Sequence, residues 1–407
     1  KSFENIPTSP LAYWVSEKIT KKFKVLPSFE NKEIGVKATK GLATTDDFRF
    51  IRAWWEVSDN KWLPLAKGGA YSPFYADINL VINWKNNGRE LKAYLDHKIG
   101  KPDQWSRWIN AVDYYKKPGL TWPNATTSDL SVRILPENCI FSHMAPTVFI
   151  DKYDELTYLS YLAVMNSSIF RLFVSLSLGL AAEGRKHYEV GVIQNIPMPS
   201  IEEYKSRLAP LSKRIWSAKR YHSKHIENSR VFEVPNTLYK PDTCSDELEV
   251  NFMSQINEIC FEMYGIDEDT INCYNLRKDH IQNPQIKNYE EKFKIDLISW
   301  AIGVVFGRFN QLLLKEQIDE KLANPFAALP AISPAMSSVN LESTSYFEIS
   351  EVGNLIEEVQ KIETDLNLDF GDFTNTWITT KFFEYHLRLY TDSRRQAPIY
   401  WPLQTPS

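Results

Sequence analysis

A chain of 407 residues exceeds the usual size of one domain, so two or three cores are expected, and 43% hydrophobic with 13% aromatic residues argues against extended disorder. Cys139, Cys244, Cys260 and Cys273 lie far apart with no C-x-x-C pair, which speaks against a zinc knuckle or a disulfide framework and fits a reducing, cytoplasmic setting. The formal charge of −4 hides an asymmetry: residues 1–230 carry 33 Lys and Arg against 23 Asp and Glu (net +10), and residues 231–407 carry 14 against 28 (net −14). A positive half is the footprint expected of phosphate binding, because each cation that neutralises a phosphate releases a condensed counterion.

After the turn-forming Pro7-Thr8-Ser9-Pro10, residues 11–24 place Leu11, Trp14, Val15, Lys18, Ile19 and Phe23 on one stripe and predict an opening helix. From about 34 to 150, β-type runs at 49–57, 78–84, 131–135 and 139–143, punctuated by Gly and Pro, predict a mixed sheet with long loops. Helical spacing returns over 155–178. That stretch opens the one long apolar run, but Asn166, Ser167, Ser168 and Arg171 interrupt it, so it reads as a buried helix rather than a membrane span. A loop at 181–191 and the turn Ile196-Pro197-Met198-Pro199 close a first domain near residue 200.

Residues 201–230 read as a basic amphipathic spacer helix, with Leu208, Leu211, Ile215, Ala218 and Tyr221 on its apolar side. Helices at 246–264, stopped by Gly265, at 295–309 and at 351–366, with a Pro/Ser/Ala-rich connector at 322–347, make residues 231–407 mainly helical. The expected class is α+β: a mixed-sheet domain over 1–200, a spacer helix over 201–230 and a helical region over 231–407.

Catalytic signatures are wanting. A methyltransferase acting on an amino group needs a cofactor-binding glycine turn and an Asn/Asp-Pro-Pro-Tyr/Phe loop; Asn324-Pro325-Phe326 lacks the second proline and reads as a turn. Asp242 with Glu290, Glu291 and Lys292 is too widely spaced for a nuclease metal site, and His222 and His225 have no further ligand beside them. Lys67-Gly68-Gly69 lacks the spacing of a phosphate-binding P-loop. What stands out is a pair of polar loops in the basic half. Lys40 to Asp46, with Thr44 and Thr45, precedes Arg49; Lys67 to Ser72, with Gly68, Gly69 and Tyr71, precedes Phe74 and Tyr75. Glycines admit close backbone approach, hydroxyls and lysines suit phosphate, and arginine suits guanine edges. Trp54, Trp55, Trp62 and Trp84 read as core.

The motifs Pro10 to Ser16, Gly41 to Phe50, Arg52 to Val57, Lys67 to Asp77 and Val81 to Gly88, followed by Leu120-Thr121-Trp122, Tyr188 to Gly191, Ile196 to Pro199, Phe306 to Phe309 and Ile399-Tyr400-Trp401, occur in one order along the chain. In that order they resemble the region after the catalytic domain in PglX, the adenine-specific methyltransferase family of BREX phage-defence systems, related to type IIG/IIL restriction–modification enzymes. The resemblance implies that residues 1 to about 200 are a target recognition domain for double-stranded DNA. It implies that the later helices hold this reader against the catalytic domain of the same parent chain or against other defence proteins. The methyl donor, S-adenosylmethionine, would belong to that catalytic domain, upstream of a segment like Phe3 to Pro10. The chain is therefore expected to be a fragment that holds no cofactor or metal and does not methylate alone. On this reading Lys40, Arg49, Lys67 and Lys85 contact phosphates, while Thr44, Thr45, Tyr71, Ser72, Arg133 and Arg185 are candidates for groove contacts. The alternative is a protein-interaction scaffold with incidental DNA binding.

Overall fold

Among the described residues, ten short strands lie in the basic half: β1 Val36–Thr39, β2 Ile51–Ala53, β3 Trp62–Ala66, β4 Leu80–Asn83, β5 Gly119–Thr121, β6 Ala125–Thr126, β7 Arg133–Leu135, β8 Ile140–Phe141, β9 Thr147–Ile150 and β10 Lys186–His187. The computed structural model describes residues 15–31, 35–57, 59–179, 184–235, 245–278, 289–311, 323–336 and 352–391. One antiparallel sheet has the order β1-β9-β5-β7, a second has the order β2-β4-β3-β8, and β6 pairs with β10. Within the second sheet only β3 and β8 run parallel, Leu65 facing Ile140 and Ala66 facing Phe141. The run at 49–57 yields less strand than its composition suggests. Asp46 accepts the Arg49 amide at 3.1 Å and starts a helical turn over Asp47–Phe50, which leaves three residues for β2.

The apolar run over 155–178 is two helices, Glu155–Asn166 and Ser168–Leu178, bent by 61°. Ser167 causes the break: extended at φ −69° and ψ 155°, it caps the second helix by accepting the Phe170 amide. No single helix among the described residues is long and apolar enough to cross a membrane. Asn166 is satisfied inside the core, its side chain accepting the Val132 amide at 2.9 Å and donating to the carbonyls of Val132 at 2.8 Å and Leu162 at 2.9 Å. One amide thereby ties the helix to the start of β7.

Three apolar clusters result. The first joins the β1-β9-β5-β7 sheet to the helix pair, to Lys205–Ser223 and to Ser245–Tyr264. The second lies between the β2-β4-β3-β8 sheet and the helix ending at Ile99. The third packs Phe232 among the helices Tyr289–Val305, Val352–Asp365, Thr374–Thr380 and Phe382–Leu389. The helix expected as a spacer is a core element, with Leu208, Leu211 and Ile215 buried in the first cluster, so the core is continuous across residue 200. The opening helix is seen as Glu17–Val25; its predicted start, the Ile399-Tyr400-Trp401 motif and much of the 322–347 connector lie outside the described residues.

Residues 227–230 clasp the two halves together. The buried Glu227 carboxylate accepts hydrogen bonds from Tyr390 at 2.5 Å and Ser299 at 2.7 Å. The Asn228 amide donates to the Leu389 carbonyl at 2.8 Å and Ser229 to Asp77 at 3.1 Å. Arg230, stacked over Trp54, donates to the carbonyls of Ile78 at 2.9 Å and Pro330 at 3.3 Å. Burial raises the pKa of Asp77 and of Glu227 despite these donors, and lowers that of Arg230 to about 10.

Candidate nucleic-acid interface

Both polar loops leave the β2-β4-β3-β8 sheet at the same end. Residues 42, 65–66 and 140–142 run parallel, as shown by the pairs Leu42 with Ser142 and Ala66 with Phe141. The loops that continue from these residues must therefore emerge together. Gly41 makes this approach possible: a Cβ there would lie 1.8 Å from the Phe141 carbonyl oxygen. Beyond it the Ala43 amide donates to the Trp108 carbonyl at 2.7 Å.

Thr44 and Lys67 both bind Asp47 and so cross-link the loops. Burial pushes the Asp47 pKa up, but the hydrogen bonds from Lys67 and Thr44 outweigh it and hold this carboxyl below its usual value. Thr45 sits at φ +58°, which costs a β-branched residue about 1–2 kcal/mol. Gly68 at φ +82° lies on the Met144 carbonyl, where a Cβ would come within 2.9 Å, and Gly69 follows at φ +119°. The turn admits no ordinary side chain at Gly68.

Arg133 is a correction. Expected in a groove, it is 5% exposed and lies beneath the turn, donating to the carbonyls of Gly68 and, at 2.9 Å, Ala70. Burial lowers its pKa to about 10, which leaves it charged at neutral pH. Its β7 position faces inward, so it braces the loop from below. Thr44, 3% exposed, is likewise inward and serves Asp47. Ser72 turns to the Tyr75 carbonyl, and the Tyr71 hydroxyl accepts from Arg171 at 3.2 Å, so these side chains also shape the loop.

The other predicted residues face out. Lys40 pairs with Glu189, and Arg49 pairs with Glu90 at 3.3 Å while stacking 5.1 Å from the Tyr94 ring centre. Arg185 is exposed beside β10. Lys85 is exposed at the entry to a left-handed turn, Asn86 to Gly88, away from the cross-linked pair of loops. Two aromatics that the sequence pattern does not reveal accompany the loops: Phe48, 77% exposed, and Trp108, 42% exposed. Neither sits in a periodic stretch, so no apolar spacing marks them. Of the tryptophans read as core, Trp54 and Trp84 are buried and Trp55 and Trp62 are half-buried.

Among the described residues no cluster of His, Cys, Asp and Glu could hold a metal; His225 is buried, with Nδ1 2.9 Å from the Val234 carbonyl oxygen. Asn324-Pro325-Phe326 is a turn, the Asn324 side chain accepting the Phe326 amide at 2.9 Å.

Fold and loops together define an α+β chain whose sheets support a polar, aromatic-flanked loop edge. No family model matches it. It is 24% identical to the adenine-specific methyltransferase BrxX of Escherichia coli O9:H4 (strain HS) over 465 aligned residues, covering 98% of this chain and 36% of the relative. It is 26% identical to the adenine-specific methyltransferase PglX of Lacticaseibacillus casei (strain Zhang) over 351 residues, covering 76% and 27%. The solved structure of the type IIL restriction–modification enzyme MmeI in complex with DNA is 12% identical, with a TM-score of 0.40 over 59% of this chain and 35% of that one. The chain is thus similar to adenine-specific methyltransferases of the BrxX and PglX type and spans about a third of the length of these curated relatives.

Proposed function

We propose that this chain is the DNA-reading part of an adenine-N6 DNA methyltransferase, positioning a target duplex for a catalytic domain outside these 407 residues. The observation that carries the reading is the emergence of the two polar loops at one end of one sheet, cross-linked through Asp47 and flanked by exposed Trp108 and Phe48. The net charge of +10 on residues 1–230 supports it. Lys40, Arg49 and Lys67 hold exposed or half-exposed carboxylates, and such pairs are worth about 0–1 kcal/mol. A phosphate can take the place of those carboxylates at little expense. Phosphate contacts by these residues, with Lys85 and Arg185, set register; Thr45 and the backbone at Gly68 and Gly69 are the parts that approach a groove. In the parent protein this docking would let one adenine rotate out of the stack toward the catalytic pocket.

The loops do not fit S-adenosylmethionine. The cavity beneath Gly68 and Gly69 is about 90 Å³ and is lined by Arg133 and Asp77, whereas cofactor sites run to about 300–1,000 Å³. The methyl donor is assigned no residue here.

Titration of fluorescent duplex DNA at several salt concentrations tests the reading: log K should fall linearly with log[salt]. A flat response would remove the phosphate contacts and favour a protein-binding scaffold built on the acidic half.

A further inference from the structure

A second polar cavity, of about 270 Å³, lies between the helix Ser168–Leu178, Asp129 and Leu130 after β6, and residues 274–278. We propose that it binds a small organic oxyanion, a phosphate or carboxylate carried on a compact apolar body. The site stands on its own geometry and does not depend on whether the loops read DNA.

Arg171 is the anchor. Its Nη1 donates to the Tyr71 hydroxyl at 3.2 Å, while its buried Nε finds no partner among the described residues. The Nε side of a guanidinium is one of the edges that can grip two oxygens of one anion. One helical turn earlier, Ser168 lines the same cavity, is 7% exposed, and has a buried hydroxyl likewise without a partner. Two buried polar atoms without partners, both on residues that line one cavity, cost about 1–3 kcal/mol each.

The charge balance selects the ligand's sign. Lys278 lines the cavity as Arg171 does, while the carboxylate of Asp129 is held at 2.7 Å by Lys186. The lining also includes Leu130, Leu172, Tyr188 and Leu276. Inorganic phosphate would engage the cationic residues and leave the apolar part of the lining uncovered, so an anion with an apolar body is the better match.

Phenyl phosphate titrated calorimetrically into the full chain tests the site, with inorganic phosphate and phenol as its separated halves. The expected result is one binding event, tighter than with either half, weakened by about tenfold or more in Arg171→Gln and weakened measurably in Ser168→Ala. Ser168→Ala removes only a hydroxyl, and with melting curves for both variants it keeps the test valid if Arg171→Gln folds poorly. Absence of binding, or affinity unchanged by both substitutions, would overturn the proposal. So would inorganic phosphate binding as tightly as the ester. Displacement of phenyl phosphate by a short duplex would also overturn it, by assigning Arg171 to the DNA backbone; a duplex that binds without displacing the ester supports a separate site.

Discussion

The charges at the loop edge and the charges at the 227–230 clasp belong to opposite regimes. Lys67 with Asp47, Lys40 with Glu189 and Arg49 with Glu90 are pairs with at least one well-exposed partner, screened by water and salt. Buried Glu227 and Arg230, with half-buried Asp77, make hydrogen bonds that join the turn at 227–230 to the sheet domain and to the C-terminal helix. A surface pair can exchange its partner, whereas a buried group that loses one leaves an uncompensated charge. The first region can exchange partners at little cost, and the second stays as it is.

That contrast can be broken most sharply at the clasp. Arg230→Ala should lower unfolding stability by about 3–5 kcal/mol, read from urea denaturation, because Asp77 and the carbonyls of Ile78 and Pro330 lose their cationic neighbour. A loss below about 1 kcal/mol would show that the clasp does not hold the halves together. Arg133→Met should cost about 2–3 kcal/mol by leaving the Gly68 and Ala70 carbonyls unmatched. It should weaken duplex binding at every salt concentration without changing the salt slope, since Arg133 touches no phosphate.

The third prediction is a pH effect. Burial foremost, then the charge of Arg308, lowers the His386 pKa to about 4. An unfolded histidine takes up its proton near 6.5, so stability falls as pH drops through the window from about 6.5 to about 4. The loss from this one residue is about 2 kcal/mol between pH 7 and pH 5. Asp77 and Glu227, whose pKa values are raised, act with the opposite sign. The measurement is therefore the difference in melting between the wild type and His386→Phe at each pH, and a difference independent of pH would exclude the effect. The smallest change is expected at the loops. Lys67→Ala or Arg49→Ala should alter stability by less than about 1 kcal/mol while reducing the salt slope of duplex binding by about 1 each.

Periodicity carries the elements that are legible in the sequence. The apolar spacing of 155–178, the β-type runs at 78–84 and 139–143, and the helix ending before Gly265 are all present. The break at Ser167 is not legible, because a capping hydroxyl leaves the hydrophobic pattern on either side intact. Nor is the direction of Arg133 beneath the loop. Its run, Ser131 to Leu135, states that a strand is there but not which face meets which carbonyl. The loops are legible from their glycines and hydroxyls; their convergence is not, since it depends on the parallel pairing of residues distant in sequence, Leu42 with Ser142 and Ala66 with Phe141.

That parallel trio has an evolutionary corollary. The parallel backbone pairing of the loops lies where they depart from the sheet, at residues 42, 66 and 142, and beyond it the first two are joined through side chains, Thr44 and Lys67 meeting on Asp47. An insertion or exchange in one loop therefore leaves the backbone pairing of the others untouched. On the proposed DNA-reading role, such a scaffold lets target preference drift by small steps while the framework beneath keeps its register.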